Sequence, residues 1–257
     1  MLIKTRCQFP EDLRLSDSLE RLLIFTLIPV ITNVAGGIIA AFRSPREALR
    51  ISVQHIAAGV VFAAVGVELL PELVRELAIS PLVLGISAGV ALMLLVKAWT
   101  GRLEKGGSGG GNYGPDGLFI ASGVDVFIDG LLIGIGFEVG FREGVIITMA
   151  LTIELLFLAI SVASSMSKRN AGKLRIIVSS VVLALLVLSG ALLGGTLLHG
   201  NKGGGLEGII AFATATLLYL VTEELLVEAH EGRDTSFRTA MFFVGFVSIL
   251  ILESLTP

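Results

Sequence analysis

Three carboxylates stand out because they interrupt stretches of sequence that otherwise hold almost nothing polar. Asp125 and Asp129 have the i, i+4 spacing that puts two side chains on one face of a helix, with Ser122 adjacent at the preceding turn. Glu154 falls inside the next apolar run. An ionisable group at the centre of a bilayer costs roughly 2.5–3.5 kcal/mol on insertion scales, so such residues face a polar interior and mark a pathway for an ion or a substrate. Three acids at one depth repel one another unless a cation or protons intervene, and no Lys or Arg within the apolar runs is placed to neutralise them. A bound divalent cation, alternating with protons, answers that electrostatic problem. The competing reading has the acids protonated and hydrogen-bonded to Ser or Thr hydroxyls, as glue between helices.

These acids matter only if the surrounding sequence is in lipid, and composition says that it is. Of 257 residues, 54% are hydrophobic and 16% charged, with a mean hydropathy of +0.88, too apolar for a soluble domain of this length. The net charge of -3 and the scattered basic clusters argue against nucleic acid as a partner. Cys7 is the sole cysteine, so there is no internal disulfide and no thiolate metal site. Residues 1–21 form a polar N-terminal tail whose mixed charges, Lys4, Arg6, Glu11, Asp12, Arg14, Asp17 and Glu20 among them, do not make a signal peptide.

A helix needs about 20 mostly apolar residues to cross the hydrocarbon core. Eight runs qualify as candidates: Leu22–Phe42, Ile51–Leu73, Leu77–Thr100, Gly117–Val139, Gly144–Ser167, Ile176–Leu198, Gly208–Val227 and Thr239–Leu252, the last being short. A β-barrel is excluded, because the runs lack period-2 alternation and are twice the length of a barrel strand. The expected fold is therefore all-α, one transmembrane domain spanning residues 1–257 with eight helices. Arg43, Arg46, Arg50, Lys97, Arg102, Lys105, Lys168, Arg169, Lys173, Arg175, Arg233 and Arg238 gather on one side of such a topology, against Arg75, Arg142 and Lys202 in the loops of the other. The positive-inside rule makes the first side cytoplasmic and puts both termini outside, although Lys4, Arg6, Arg14 and Arg21 then also lie outside. Residues 101–116 read as a Gly-rich cytoplasmic loop; no Gly-Lys-Ser/Thr closes it and no strand precedes it, so it is not a phosphate-binding loop.

The chain also carries a faint repeat. Glu68-Leu-Leu-Pro-Glu72 ends the second run and Glu224-Leu-Leu-Val-Glu228 ends the seventh. With the topology above these segments lie at opposite faces of the membrane, as an inverted repeat of three helices around a central pair would place them, and transporters set their substrate site at such an interface. Chance similarity between two Leu- and Glu-rich helix ends is the alternative. Asp129 and Glu154 fall near the midpoints of the central pair, and a four-residue loop between those helices would bring the carboxylates to one depth, close enough with Asp125 to share a cation. His55 reads as an interfacial or pore-mouth residue. Glu68 and Glu72 at one end, and Glu223, Glu224, Glu228 and His230 at the other, read either as cation-attracting vestibules or as solvated helix ends. Ser179, Ser180, Ser189 and Thr196 of the sixth run read as packing residues.

The segment Asp125-Val-Phe-Ile-Asp129-Gly130-Leu-Leu-Ile-Gly134 resembles the fourth transmembrane helix of the ZIP (Zrt/Irt-like) metal transporters, in which His-Ser/Asn-x-x-Asp/Glu-Gly supplies metal ligands. Leu69-Leu70-Pro71-Glu72 is similar to the Leu-Leu-Pro-Glu that ends that family's second helix, and Glu154 stands where its fifth helix usually has a His. The resemblance implies eight spans in a three-two-three inverted-repeat arrangement, both termini outside, a cytoplasmic loop after the third, and metal ligation by Asp125, Asp129, Glu154 and Glu68; Ser122 joins the candidate ligands by its place one turn before Asp125. Several imidazoles of the family pattern are carboxylates here: Asp125 begins the helix-four motif, Val126 takes the following polar position, and Glu68 precedes Leu-Leu-Pro-Glu. In the fifth helix the family's Pro and second ligand fall on Phe157 and Leu158. An all-oxygen set suits Mn²⁺, Mg²⁺, Ca²⁺ or Fe²⁺ better than Zn²⁺.

The leading expectation is a transporter of a divalent metal cation, the metal being its transported substrate, into the cytoplasm across the cell (inner) membrane, with a homodimer as the candidate assembly. The alternative is a ZIP-like membrane protein without metal transport, carrying protons or another solute or acting as a sensor. An intramembrane aspartyl protease, the enzymatic alternative, needs two aspartates from different helices sharing a proton; Asp125 and Asp129 share one helix and lack the Gly-x-Gly-Asp context, so no enzymatic activity is expected.

Overall fold

Where the chain must satisfy its own backbone in lipid, helices are the economical solution, and each of the eight apolar runs is helical over its described residues. The computed structural model describes residues 11–42, 47–75, 79–105, 115–168, 170–197, 205–227 and 236–255, and no strand occurs among them. Helix α1 runs Glu11–Phe42, α2 Glu47–Ala64 and α3 Leu70–Arg75, the last two joined by a wide turn at Val65–Leu69. Then follow α4 (Ile79–Lys105), α5 (Pro115–Val139), α6 (Phe141–Lys168), α7 (Lys173–Leu197), α8 (Gly205–Leu220) with a second wide turn at Val221–Leu225, and α9 (Ser236–Leu255). Five helices, α1 and α4 to α7, are long and apolar enough to cross a membrane by length and composition, and the chain is a helical membrane protein.

Helix ends extend beyond the apolar runs. α1 begins at Glu11, inside the segment read as a polar tail, and α4 continues through Arg102 to Lys105, inside the segment read as a loop. Hydropathy reports where lipid is, whereas Glu, Leu, Arg and Lys favour helix wherever they stand. Cys7 and Ser108 lie outside the described residues.

The helices sort into two groups by contact. α5 packs along α7, α1 along α6 and α7, and α5 along α6; separately, α4 packs along α8 and α9 along α2. Contacts between the groups run chiefly from α2 to α6, with lesser ones from α4 and α8 to α5. Glycines allow the close seams. A Cβ on Gly130 would strike the backbone of Val187, and one on Gly134 the backbone of Ala191 and Gly195, so α5 and α7 meet at backbone distance. Gly89 of α4 lies against Phe212 and Ala215 of α8, and Gly245 of α9 against Ile56 of α2.

The two wide turns share a hydrogen-bond pattern. Leu70 N–H donates to the Val65 carbonyl and Leu226 N–H to the Val221 carbonyl, five residues back rather than four. Pro71 accounts for the first in part, since a proline has no N–H to give and its ring crowds the carbonyl four residues earlier. The second turn has Val227 at the corresponding place, so proline is not the common cause. What the turns share is sequence: Val-Gly-Val-Glu-Leu and Val-Thr-Glu-Glu-Leu, with Glu68 matching Glu224.

Candidate functional site

α5 and α6 are separated by Gly140 alone, because α6 begins at Phe141 and not after the four-residue loop expected from hydropathy. Gly140 N–H donates to the Gly136 carbonyl and its own carbonyl accepts from Gly144 N–H, so one residue ends one helix and starts the next. The Phe137 ring lies over Gly144, and Phe25, Phe137 and Phe141 form an aromatic cluster with centroids 5.5–6.2 Å apart beside this turn. Arg21 lies over the Phe141 ring at 5.5 Å.

From that turn both helices run through the core, and Asp129 is the central residue of the apolar span Phe119–Val139 while Glu154 is midway along Phe141–Lys168. At 1.5 Å per residue they lie about 16 and 21 Å along their helices from Gly140. Both are buried, Asp129 at 1% and Glu154 at 3% exposure, and Ser122 is buried at 6%. Asp125 is only half-buried. Among the described residues no group of three or more His, Cys, Asp and Glu side chains is close enough to hold a metal ion, so Asp125, Asp129 and Glu154 do not form the compact triad expected from sequence. Counted from Gly140, Asp125 and Glu154 fall at one level, about 21–22 Å along their helices, and Asp129 lies about one turn nearer to Gly140. Glu68 lies in the wide turn after α2, but its side chain is outside the described residues, as are those of Glu72 and Glu224 and all of Glu228 and His230.

Two buried amides, Asn33 and Gln54, have no counterpart among the residues singled out from sequence. Asn33 of α1 is fully buried and its Nδ2 donates to the Leu155 carbonyl at 3.4 Å, on the turn of α6 that carries Glu154. The Asn33 Oδ1 and the Gln54 Oε1 are buried with no hydrogen-bond partner among the described residues. His55 is enclosed by the protein, 2% exposed, with Nδ1 2.9 Å from the Ile51 carbonyl. α9, α6 and α8 all pack on α2, the helix that carries it. A lone Asn or Gln inside an apolar run is the signal that could have found Asn33 and Gln54.

The hydroxyls near the site are occupied within their own helices. Thr148 donates to the Gly144 carbonyl and Thr152 to the Thr148 carbonyl, each at 2.6 Å, and Thr26 to the Leu22 carbonyl at 2.7 Å. Each hydroxyl has one proton, so these three supply none to a carboxylate. On α7, Ser180 is buried, donates to the Ile176 carbonyl and packs on Gly37 of α1, while Ser189 and Thr196 are exposed and bond their own helix. Away from this site, Lys97 of α4 donates to Glu223 at 2.8 Å.

No family model matches the chain, and no characterised protein matches it in sequence. Fold and site together define a helical membrane protein with two carboxylates buried at mid-span on adjacent central helices.

Proposed function

We propose that the chain is a divalent-cation transporter of the ZIP type, with Asp129 and Glu154 as the oxygen ligands at the centre of the path and Asp125, Ser122 and Glu68 as flanking ligands. The observation that carries this reading is the burial of Asp129 and Glu154 near the middle of two packed helices. Carboxylates are too costly there to serve as packing groups. That Thr148 and Thr152 donate to their own helix weakens the alternative of hydroxyl-bonded glue. Two carboxylates do not fill the coordination shell of Mn²⁺ or Ca²⁺; water, backbone carbonyls and the amide oxygens of Asn33 or Gln54 are the available complements.

The pairing of helices, which is that of an inverted repeat, supports the same reading. Exchanging α1 with α7, α2 with α8, α4 with α9 and α5 with α6 turns the α5–α7 seam into the α6–α1 seam and the α4–α8 seam into the α9–α2 seam, all of which occur. One sequence interval relates Val65 to Val221, Glu68 to Glu224 and Gly89 to Gly245. In a three-two-three arrangement with both termini outside the cytoplasm, movement of one helix group against the other would expose the site alternately to each side.

The lack of a three-ligand group among the described residues favours one second reading, a proton path through the same acids. Direct binding separates the two. Titration of the purified full chain with Mn²⁺, followed by the loss of the free-ion electron paramagnetic resonance signal, should show saturable binding that weakens as pH falls, because protons and metal compete for the same oxygens. Asp129→Asn combined with Glu154→Gln should abolish it. Absence of saturable binding in the native chain would leave the proton reading standing.

A further inference from the structure

Away from the central acids, a cleft of about 470 Å³ opens between α4, α8 and the short α3. Its wall is apolar along most of its length: Ile86, Val90 and Leu94 of α4 face Leu70 and Leu73 of α3 and Leu218 of α8. One end is polar, with Lys97, Tyr219, Thr222 and Glu223. Lys97 Nζ lies 2.8 Å from Glu223 Oε2 and 5.8 Å from the centroid of the Tyr219 ring. The pair is open to the surroundings, with side-chain exposures of 57% and 48%.

Those surroundings are lipid. α4 is the least covered of the five long apolar helices, and Val83, Leu84, Leu94 and Leu95 are all exposed on it. Lys97 lies near the basic end of α4, which continues to Arg102 and Lys105, so the polar end of the cleft is at headgroup depth and the apolar end points toward mid-membrane. From Lys97 back to Ile86 the helix rises about 16 Å, close to half of a hydrocarbon core about 30 Å thick. The cleft therefore has the length of one leaflet. Its volume suits a chain rather than a helix, since a cylinder about 10 Å across and equally long needs more than about 1,000 Å³.

We propose that this cleft is a binding site for a zwitterionic phospholipid with a primary-amine headgroup. The phosphate takes Lys97, the ammonium takes Glu223, and one acyl chain lies along Ile86, Val90 and Leu94. Adjacent opposite charges are what a zwitterion complements; an anionic headgroup would meet Lys97 but also the carboxylate of Glu223. A primary ammonium donates hydrogen bonds to Glu223, and a quaternary one does not. The α8 end of the site is the wide turn Val221–Leu225 that contains Glu223, so lipid occupancy bears on the most irregular backbone of that helix. The proposal depends on membrane embedding and not on metal transport.

Native mass spectrometry of the delipidated full-length protein tests it, with phosphatidylethanolamine, phosphatidylcholine and phosphatidylglycerol of identical chains added at equal concentration. The native protein should retain phosphatidylethanolamine about tenfold more tightly than either other lipid, equivalent to about 1.4 kcal/mol. Lys97→Gln and Glu223→Gln, both at exposed side chains, should each erase that preference without changing the thermal midpoint. Val90→Trp should reduce binding of all three lipids by filling the apolar wall. Equal retention of the three lipids by the native protein, a preference for phosphatidylglycerol, or a preference that survives both charge substitutions would each overturn the proposal.

Discussion

Gly130 follows Asp129 directly and sits where α5 meets α7, so a single methyl there probes both packing and site. The three atoms nearest to an added Cβ are Val187 O, C and Cα, all backbone, and no rotamer change can relieve them. Replacing a mid-helix Gly with Ala gains up to about 1 kcal/mol in helix propensity. Overpacking a tight interface costs about 1–3 kcal/mol, and rigid backbone neighbours put this position at the upper end. Gly130→Ala should therefore be destabilised by about 1–2 kcal/mol net, at about 2–4 °C per kcal/mol for a chain of this size. Gly123 is the control on the same helix. Its added Cβ meets Leu186 Cδ1 at 3.3 Å and Leu183 Cδ2 at 4.0 Å, the ends of side chains that can turn aside. Thermal midpoints in detergent, read by far-ultraviolet circular dichroism, should rank Gly123→Ala at or above the native protein and Gly130→Ala below it. A Gly130→Ala protein as stable as Gly123→Ala would refute the backbone-contact seam that positions Asp129.

Two further outcomes are expected. Single cysteines at Ser108 and Lys202, in a background with Cys7 replaced by Ser, should label from opposite sides of sealed vesicles; labelling from the same side would exclude the eight-span topology. Asp125→His together with Glu154→His should move ion preference from Mn²⁺ toward Zn²⁺, which takes nitrogen ligands more readily than hard ions do, as measured by competition in a binding titration. Unchanged zinc preference would show that these positions do not set selectivity.

The helices were legible because lipid imposes a coarse rule that hydropathy reads well: long apolar stretches in a chain of this composition become helices, and all eight did over their described residues. Their ends were not, since α1 from Glu11 and α4 to Lys105 are set by helix propensity and local packing beyond the apolar stretch. Depth along a helix was readable for Asp129 and Glu154, both mid-span and buried. Rotation about the helix axis was not. Asp125 shares a face with Asp129 by spacing yet remains half-buried, and His55 is enclosed because α2 is surrounded. The wide turn at Val65–Leu69 had a partial signal in Pro71, but its counterpart at Val221–Leu225 had none beyond the matching Glu. The Lys97–Glu223 pair joins residues far apart in sequence, on two helices whose packing only the fold reveals.

Uptake of Mn²⁺ into proteoliposomes measures directly whether a cation crosses the membrane by way of Asp129 and Glu154. The native chain should carry Mn²⁺ inward down its gradient, with saturation, while Asp129→Asn and Glu154→Gln each lower the initial rate by at least about tenfold, equivalent to about 1.4 kcal/mol of lost stabilisation. Native-like uptake by both variants, or no uptake of Mn²⁺, Fe²⁺, Zn²⁺, Mg²⁺ or Ca²⁺ by the native protein, would contradict transport by that path.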